Sequence, residues 1–301
     1  MNATLRAYID LMRLQFFFAW PLLFSSGYLL ATMSYGGFSW LMLVKVALIG
    51  FFGFEAGLVL NDYIDRDIDK KDVERGLLTK YWRLFGTRPL PAGLIPSMHA
   101  LALFFILAGI ATALILTLPY PHSVWVLLMM AYCYAIEVFY QKEKEIPQVF
   151  PFPQIIGRTD FALFPVAGYI CAGSPDPTAF LYFIFFYPFA IAHLGVNDLI
   201  DEANDRAKGL RTIPTLYDAE RTRYWIAGFT VIHAMMAVLF ITRLGLVARA
   251  GICAGLVLLV IANVVILKYK TPDAALKVLP LFHVAMVFYA GGICAGALLA
   301  L

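Results

Sequence analysis

Charged residues are scarce in this chain. Asp, Glu, Lys and Arg make up 14% of its 301 residues, against about a quarter in an ordinary soluble domain, so a conventional water-facing surface is excluded. Cysteine is rare too: Cys133, Cys171, Cys253 and Cys294 lie in or beside apolar stretches with no C-x-x-C pair. That argues against a disulfide framework or a zinc site and for packed thiols. The histidines, His99, His122, His193, His233 and His283, are dispersed and give no metal-ligand spacing. No cleavable leader is expected, because Arg6, Asp10 and Arg13 interrupt the first 13 residues and no small-residue cleavage site follows. An interfacial helix leading into the first span fits better.

Apolar residues fill the space left by charge. The chain is 61% hydrophobic, with a mean hydropathy of +0.78. Windows of about 20 apolar residues suffice to cross a bilayer as helices, and they predict an all-α polytopic membrane protein. Nine transmembrane helices are expected, near 14–34, 39–60, 95–118, 122–140, 155–173, 178–197, 224–242, 247–267 and 279–300. With alternating orientation, the N-terminus and the loops after even-numbered spans hold nineteen Lys and Arg, Arg75 and Lys270 among them. The opposite side holds only Arg243 and Arg249. The basic side is therefore expected in the cytoplasm of a multi-pass cell-membrane protein.

Against this apolar background one acidic pattern, Asn-Asp-x-x-Asp-x-x-x-Asp, occurs twice. Its copies are Asn61, Asp62, Asp65, Asp69 and Asn197, Asp198, Asp201, Asp205, each at the polar exit of an even-numbered span on the cytoplasmic side. On a helix, positions i, i+4 and i+8 share one stripe, which would stack like charges unless a cation joined them. Hard oxygen ligands suit Mg2+, which shares its shell with waters and phosphate oxygens. Asn61, Asp65, Asp69, Asp198, Asp201 and Asp205 are the candidate metal ligands, and Asp65, Asp69, Asp201 and Asp205 the candidate catalytic acids. The expected ligand is a metal-bound diphosphate. Base follows acid in both loops, so Arg66, Lys70, Arg88, Lys208 and Arg211 are candidates to neutralise phosphate oxygens alongside Asn61, Asp62, Asn197 and Asp198.

A wider duplication is expected. Arg13, Phe16, Pro21 and Gly27-Tyr28 resemble Arg158, Phe161, Pro165 and Gly168-Tyr169, at roughly the offset of the acidic motifs. The expectation is one domain, 1–301, built of halves 1–140 and 150–270 around a central cavity, with a ninth helix added. Gly53 with Gly57, and Gly292 with Gly296, are spaced for close helix packing.

With these motifs in view, the chain resembles the UbiA superfamily of intramembrane prenyltransferases. NDYIDRDID and NDLIDEANDRAKGLRTIPT are similar to its two acidic motifs, and Arg88 to Gly93, RPLPAG, to its stretch before span three. The resemblance covers essentially the whole chain. It implies a helical bundle enclosing a cavity, Mg2+ bridging an isoprenyl diphosphate, a lateral opening toward lipid and a lipophilic acceptor. Two departures stand out. The segment Gly76 to Gly86 is an insertion, and the family's Tyr-x-x-x-Lys pattern reads as Tyr140 and Lys144, with Lys142 a close competitor.

Prenyl transfer would proceed through an allylic carbocation, shielded from water and faced by Phe and Tyr rings; 25 Phe and 16 Tyr are available. Other polar residues have simpler expected roles. Glu55 either meets the acceptor side of the site or pairs with another helix, Glu137 is paired or solvated, and Arg158 and Asp160 snorkel. His193 is read as a hydrogen-bonded packing residue, with cavity lining as its alternative. Two other functions remain open: a CDP-alcohol-type phosphotransferase, whose compact Asp-Gly-x-x-Ala-Arg motif is missing, and a cation-coupled transporter. No nucleic-acid partner is expected, and the acceptor, the prenyl length and the oligomeric state are not readable.

Overall fold

The structure is a computed structural model that describes residues 2–73, 76–269 and 271–301. Arg75 and Lys270, counted above on the basic side, lie outside the described residues. The described chain is helical throughout: α1 (Ala3–Leu11), α2 (Ala19–Tyr35), α3 (Trp40–Asp65), α4 (Leu77–Trp82), α5 (Ser97–Leu116), α6 (His122–Glu143), α7 (Phe152–Gly157), α8 (Thr159–Ile170), α9 (Pro177–Ile200), α10 (Glu202–Lys208), α11 (Ile213–Ile241), α12 (Leu246–Tyr269) and α13 (Pro272–Leu298). Local chemistry starts the long helices where they start. The Ser39 hydroxyl accepts from the Met42 amide ahead of α3, and Asp176 and Thr271 cap α9 and α13, each followed by a proline in the first turn.

Among the described residues, eight helical segments are long and apolar enough to cross a membrane, and the chain is an integral membrane protein. They fall on eight of the nine expected spans. The remaining one, the fifth, 155–173, holds the short helices α7 and α8, which meet at Arg158 (φ −73°, ψ 0°). At 1.5 Å per residue the twelve residues of α8 rise only about 18 Å. Helix α11 begins at Ile213, well before the expected 224. A break at Asp218 (φ 74°) separates its first turn from the rest, and the Asp218 carboxylate restarts the helix by accepting from the Arg221 amide at 2.8 Å.

α8 lies inside the bundle, against α2, α6 and α9, while α2 also meets α3 and α13. The crossing of α2 and α8 is unusually tight. A β-carbon on Gly27 would stand 1.9 Å from the Pro165 carbonyl oxygen, and one on Gly168 would stand 1.9 Å from that of Phe24. These are the two glycines matched between the proposed halves. Gly292 also packs closely, with a β-carbon there 3.1 Å from the α-carbon of Gly251, but a β-carbon on Gly53 would meet nothing within 4 Å among the described residues. Gly53 and Gly57 instead line a cavity, a correction to their reading as a packing pair. Cys171 and Cys294 are buried as expected, whereas Cys253 is exposed.

Gly168→Ala should cost about 3 kcal/mol of stability, because backbone opposes the new methyl group and cannot yield as a side chain would. Gly109→Ala, in open space on α5, should be neutral or stabilising by up to ~1 kcal/mol. Thermal unfolding in one detergent compares the pair; equal midpoints would contradict the tight crossing.

Candidate active site

The two acidic motifs do not form the straight stripes that their spacing predicts. Helix α3 carries Asn61, Asp62 and Asp65 to its end, and Asp69 sits on a separate 3-10 turn, Ile68–Lys71. Helix α9 stops at Ile200, Asp201 is non-helical (φ −98°, ψ 12°), and α10 carries Asp205 and Lys208. Each copy bends where a straight helix would have aligned its acids. Bending lets the carboxylates turn to different cations.

Those cations are specific. Asp62 accepts from Arg13 at 2.8 Å and from Arg83 at 2.7 Å. Asp65 pairs with Lys144 at 2.8 Å, and Lys144 also donates to Gln141. Asp69 takes Arg88 at 2.5 Å and Lys208 at 2.7 Å. Arg88 then reaches Asp201 at 3.7 Å, and Lys208 reaches Asp72 at 2.6 Å. Lys208 belongs to the second motif region and Asp69 to the first, so the motifs are stapled to each other by opposite charges.

Between them lies a cavity of about 250 Å³. Its walls include Asn61, Asp62, Asp65, Asp69, Arg88, Tyr140, Lys144, Asn197, Asp198, Asp201, Asp205 and Lys208. Four other expected residues are elsewhere. Lys70 is exposed and pairs with Asp67, Lys142 is exposed and pairs with Glu145, and Arg66 lies over the Tyr63 ring and donates to the Tyr63 carbonyl. Arg211 meets its neighbours through its backbone, its amide donating to the Lys144 carbonyl and its own carbonyl accepting from Gln154. Sequence spacing marks Arg66, Lys70 and Arg211 as near the motifs, and the family resemblance brings in Lys142, but none of the four lines the cavity. Of Lys142 and Lys144, it is Lys144 that lines the cavity, its buried ammonium between α6 and the first motif.

Other wall residues were missed or misread. Arg13, Arg83 and Arg158 all line the cavity. Arg83 arrives on the inserted segment, which α1 fastens: the Asp10 carboxylate accepts from the amides of Phe85 at 2.7 Å and Thr87 at 2.9 Å. Arg158 does not snorkel. Its guanidinium is half-buried, lying over the Tyr140 ring 3.9 Å from both Glu137 and Asp160. Glu137 is paired, accepting from Asn61 at 2.7 Å and Gln141 at 2.5 Å. Glu55 is fully buried, and neither carboxylate oxygen has a hydrogen-bond partner among the described residues. The cavity's inner walls are apolar and aromatic, with Trp20, Phe54, Phe161, Phe189 and Met286. A second chamber of about 180 Å³ adjoins it and shares Phe54 and Phe161.

Charge is unevenly balanced across this site. Burial alone would raise the Asp69 carboxyl, but Arg88 and Lys208 outweigh it and hold it at about 2. Asp205 goes the other way: burial pushes its carboxyl well above the ordinary range, and the neighbouring Asp198 and Asp201 push it further. The second motif thus has fewer cations than carboxylates. Beside it, Asp65 Oδ1 is buried with no partner among the described residues. Those oxygens suit a hard divalent cation, although no group of three or more His, Cys, Asp or Glu side chains among the described residues is placed to hold one unaided. Further oxygen ligands must come with the ligand itself.

Comparison with known proteins agrees with this geometry. The model of the UbiA prenyltransferase family matches residues 18–292. The chain is 26% identical over 239 residues to the 4-hydroxybenzoate octaprenyltransferase of Pseudoalteromonas translucida (strain TAC 125), covering 78% of this chain and 76% of that protein. It is 27% identical over 225 residues to the digeranylgeranylglyceryl phosphate synthase of Thermococcus kodakarensis, covering 74% of this chain and 72% of the relative. Its fold is similar to that of a UbiA homolog from Archaeoglobus fulgidus bound to DMAPP and Mg2+. The TM-score is 0.70 at 16% identity, over 96% of this chain and 99% of that one.

Because the Asp69 carboxyl is held at about 2, below the usual value near 3.9, its ionisation stabilises the fold above about pH 4. That contribution disappears as pH falls through about 2. Arg88→Met removes one counter-charge from a buried carboxylate and should cost about 3 kcal/mol at neutral pH, with acid unfolding moved to higher pH. Thermal unfolding across a pH series reads both; an unchanged acid limb would count against the pairing.

Proposed function

The chain belongs to the UbiA prenyltransferase family, and on that premise we propose that it transfers a prenyl group from an isoprenyl diphosphate to an aromatic or glycerol-type acceptor. The observation that carries the reading is one cavity with a charged mouth and an aromatic interior. Arg13, Arg83 and Arg158 each keep a buried Nε–H with no partner among the described residues, donors suited to an anion's oxygens. The aromatic interior suits an isoprenoid chain and a short-lived cation.

Asp65, Asp69, Asp198, Asp201 and Asp205, with Asn61, would hold Mg2+. When bound with diphosphate, that ion stabilises negative charge on the leaving group. Arg88, Lys144 and Lys208 reach the same space and spread the remaining charge over fixed donors. Trp20, Phe54, Phe161 and Phe189 exclude water from C1 of the prenyl group, leaving the acceptor as the nucleophile. The adjoining chamber, with Gly53 and Gly57 in its wall, gives the acceptor room beside C1. We read the chain as one domain of two pseudo-equivalent halves, a reading supported by the reciprocal fit of Gly27 and Gly168. Both motifs are assigned to the cytoplasmic face on the strength of the basic loops.

Asp65→Asn and Asp201→Asn should each lower prenyl transfer at least ~100-fold while the protein still elutes as a folded monodisperse species in detergent. In the wild type, Mg2+ should tighten binding of geranyl diphosphate and leave geraniol binding unchanged, and the diphosphate should tighten Mg2+ equally. Isothermal titration in nanodiscs measures both directions. Diphosphate affinity indifferent to Mg2+ would remove the metal from the reading.

Sidedness has its own test. On a background without the exposed Cys253, cysteines placed at Lys80 and Arg221 should react with an impermeant maleimide from the cytoplasmic face, and one at Ser174 from the other. Labelling of the first two from opposite faces would separate the motifs.

A further inference from the structure

Two imidazoles and a phenol run in line through the cavity wall. His193, on α9, faces the chamber beside Phe161 and Phe189, whose ring centroids lie 6.4 and 6.3 Å from its own. Its Nε2 is 2.9 Å from Nε2 of His283 on α13, and Nδ1 of His283 is 2.5 Å from the Tyr81 hydroxyl on α4. Two ring nitrogens at that distance share one proton, so the tautomers of the two rings are linked. The amide nitrogen of Asn197 donates to the His193 backbone carbonyl at 3.0 Å and stands 3.4 Å from both ring nitrogens, so it favours neither tautomer. With the His193 proton on Nε2, its Nδ1 is left to accept. His283 then accepts at Nε2 and carries its own proton on Nδ1, toward Tyr81. His193 and His283 line the cavity; Tyr81 stands behind them, only partly buried, on the inserted segment at the motif end of the bundle.

Mechanical attachment of α4 does not account for this line. The neighbouring Trp82 already ties α4 to α9 by donating from its indole to Asn197 Oδ1 at 3.3 Å, and Phe16 packs against the rings of Tyr81, Trp82 and His283. Two polar rings in an aromatic wall could be replaced by apolar ones without loosening that packing. What apolar rings cannot do is pass a proton.

Prenyl transfer, on which this inference rests, generates one proton per turnover. The bond from C1 of the prenyl group to the diphosphate oxygen breaks, its electron pair leaving with diphosphate, and a bond forms between C1 and a ring carbon or hydroxyl oxygen of the acceptor. The acceptor's C–H or O–H bond then breaks, and its electron pair returns to the ring or the oxygen. We propose that His193, His283 and Tyr81 form the exit path for this proton. The proton binds His193 Nδ1; the Nε2 proton of His193 passes to His283 Nε2; the Nδ1 proton of His283 passes to Tyr81; and the phenolic proton passes to water. The ring tautomers reset by exchange with water when product leaves. An arenium or oxonium proton is strongly acidic, so a neutral imidazole is base enough.

The test uses the full-length protein, geranyl diphosphate and Mg2+, with either ring-deuterated 4-hydroxybenzoate or a prenylglyceryl phosphate in D2O, whichever the wild type prenylates. Tyr81→Phe keeps the ring and removes the hydroxyl; His193→Gln tests the first acceptor. Both variants should bind geranyl diphosphate as the wild type does, lose roughly 100-fold in product formation and divert the prenyl cation to geraniol. A primary isotope effect absent from the wild type should appear, because proton loss has become the slow step. Wild-type turnover without an isotope effect in both variants overturns the relay. Lost binding of geranyl diphosphate in both also overturns it, in favour of a structural role. A wild type that prenylates neither acceptor overturns the reading of prenyl transfer instead.

Discussion

Everything in this site depends on how nine-tenths-buried carboxylates are kept ionised. Burying a charge costs several kcal/mol unless a partner offsets it, and in the first motif the protein meets that cost by pairing the acids with cations from other parts of the chain. Asp62 is met from the N-terminal segment and the insertion, Asp65 from the end of α6, and Asp69 from Arg88, just after the insertion, and from the second motif. Sites held this way are positioned by attraction rather than by packing alone. The pairs that set the geometry are also the groups an anionic ligand would compete for, so ligand binding must exchange partners within the cavity.

The outline of this arrangement was legible in the sequence because it rests on periodicity. Apolar windows located the long helices, and duplication singled out the eight motif residues from other loop charge. The motifs' shape was not legible, since spacing alone presumes a straight helix and cannot register the breaks after Asp65 and at Asp201. Arg13 was noticed as a charge against a leader and as a matched position in a repeat, and Arg158 was read as snorkelling because a charge near a span end ordinarily reaches for water. Its partial burial depends on Tyr140, Glu137 and Asp160 converging from two helices, a three-dimensional fact. Arg83 was hidden by the insertion, where no pattern indicated which basic residue turns inward. The histidines looked dispersed for the same reason: His193 and His283 are far apart in the chain and adjacent in space.

The apolar half of the cavity follows a different logic. Phe54 stacks on Trp20 with ring centroids 3.7 Å apart, and Phe161, Phe189 and His193 form a continuous face. These rings are part of the bundle's packing, so the surface offered to a substrate is the protein's own interior left partly open. Rigid aromatic walls keep their shape without a ligand, and the glycines of the adjoining chamber widen the space where side chains would have filled it.

The fastening of the insertion by Asp10 bears on how the protein assembles. Asp10 precedes the amides it accepts from, those of Phe85 and Thr87, by 75 and 77 residues. Until those residues are synthesised, α1 has no interior partner for that carboxylate. Helices α2 and α3 are therefore complete before α1 can be fixed against α3. The segment ahead of α2 is a late element of the structure, a latch set after the frame.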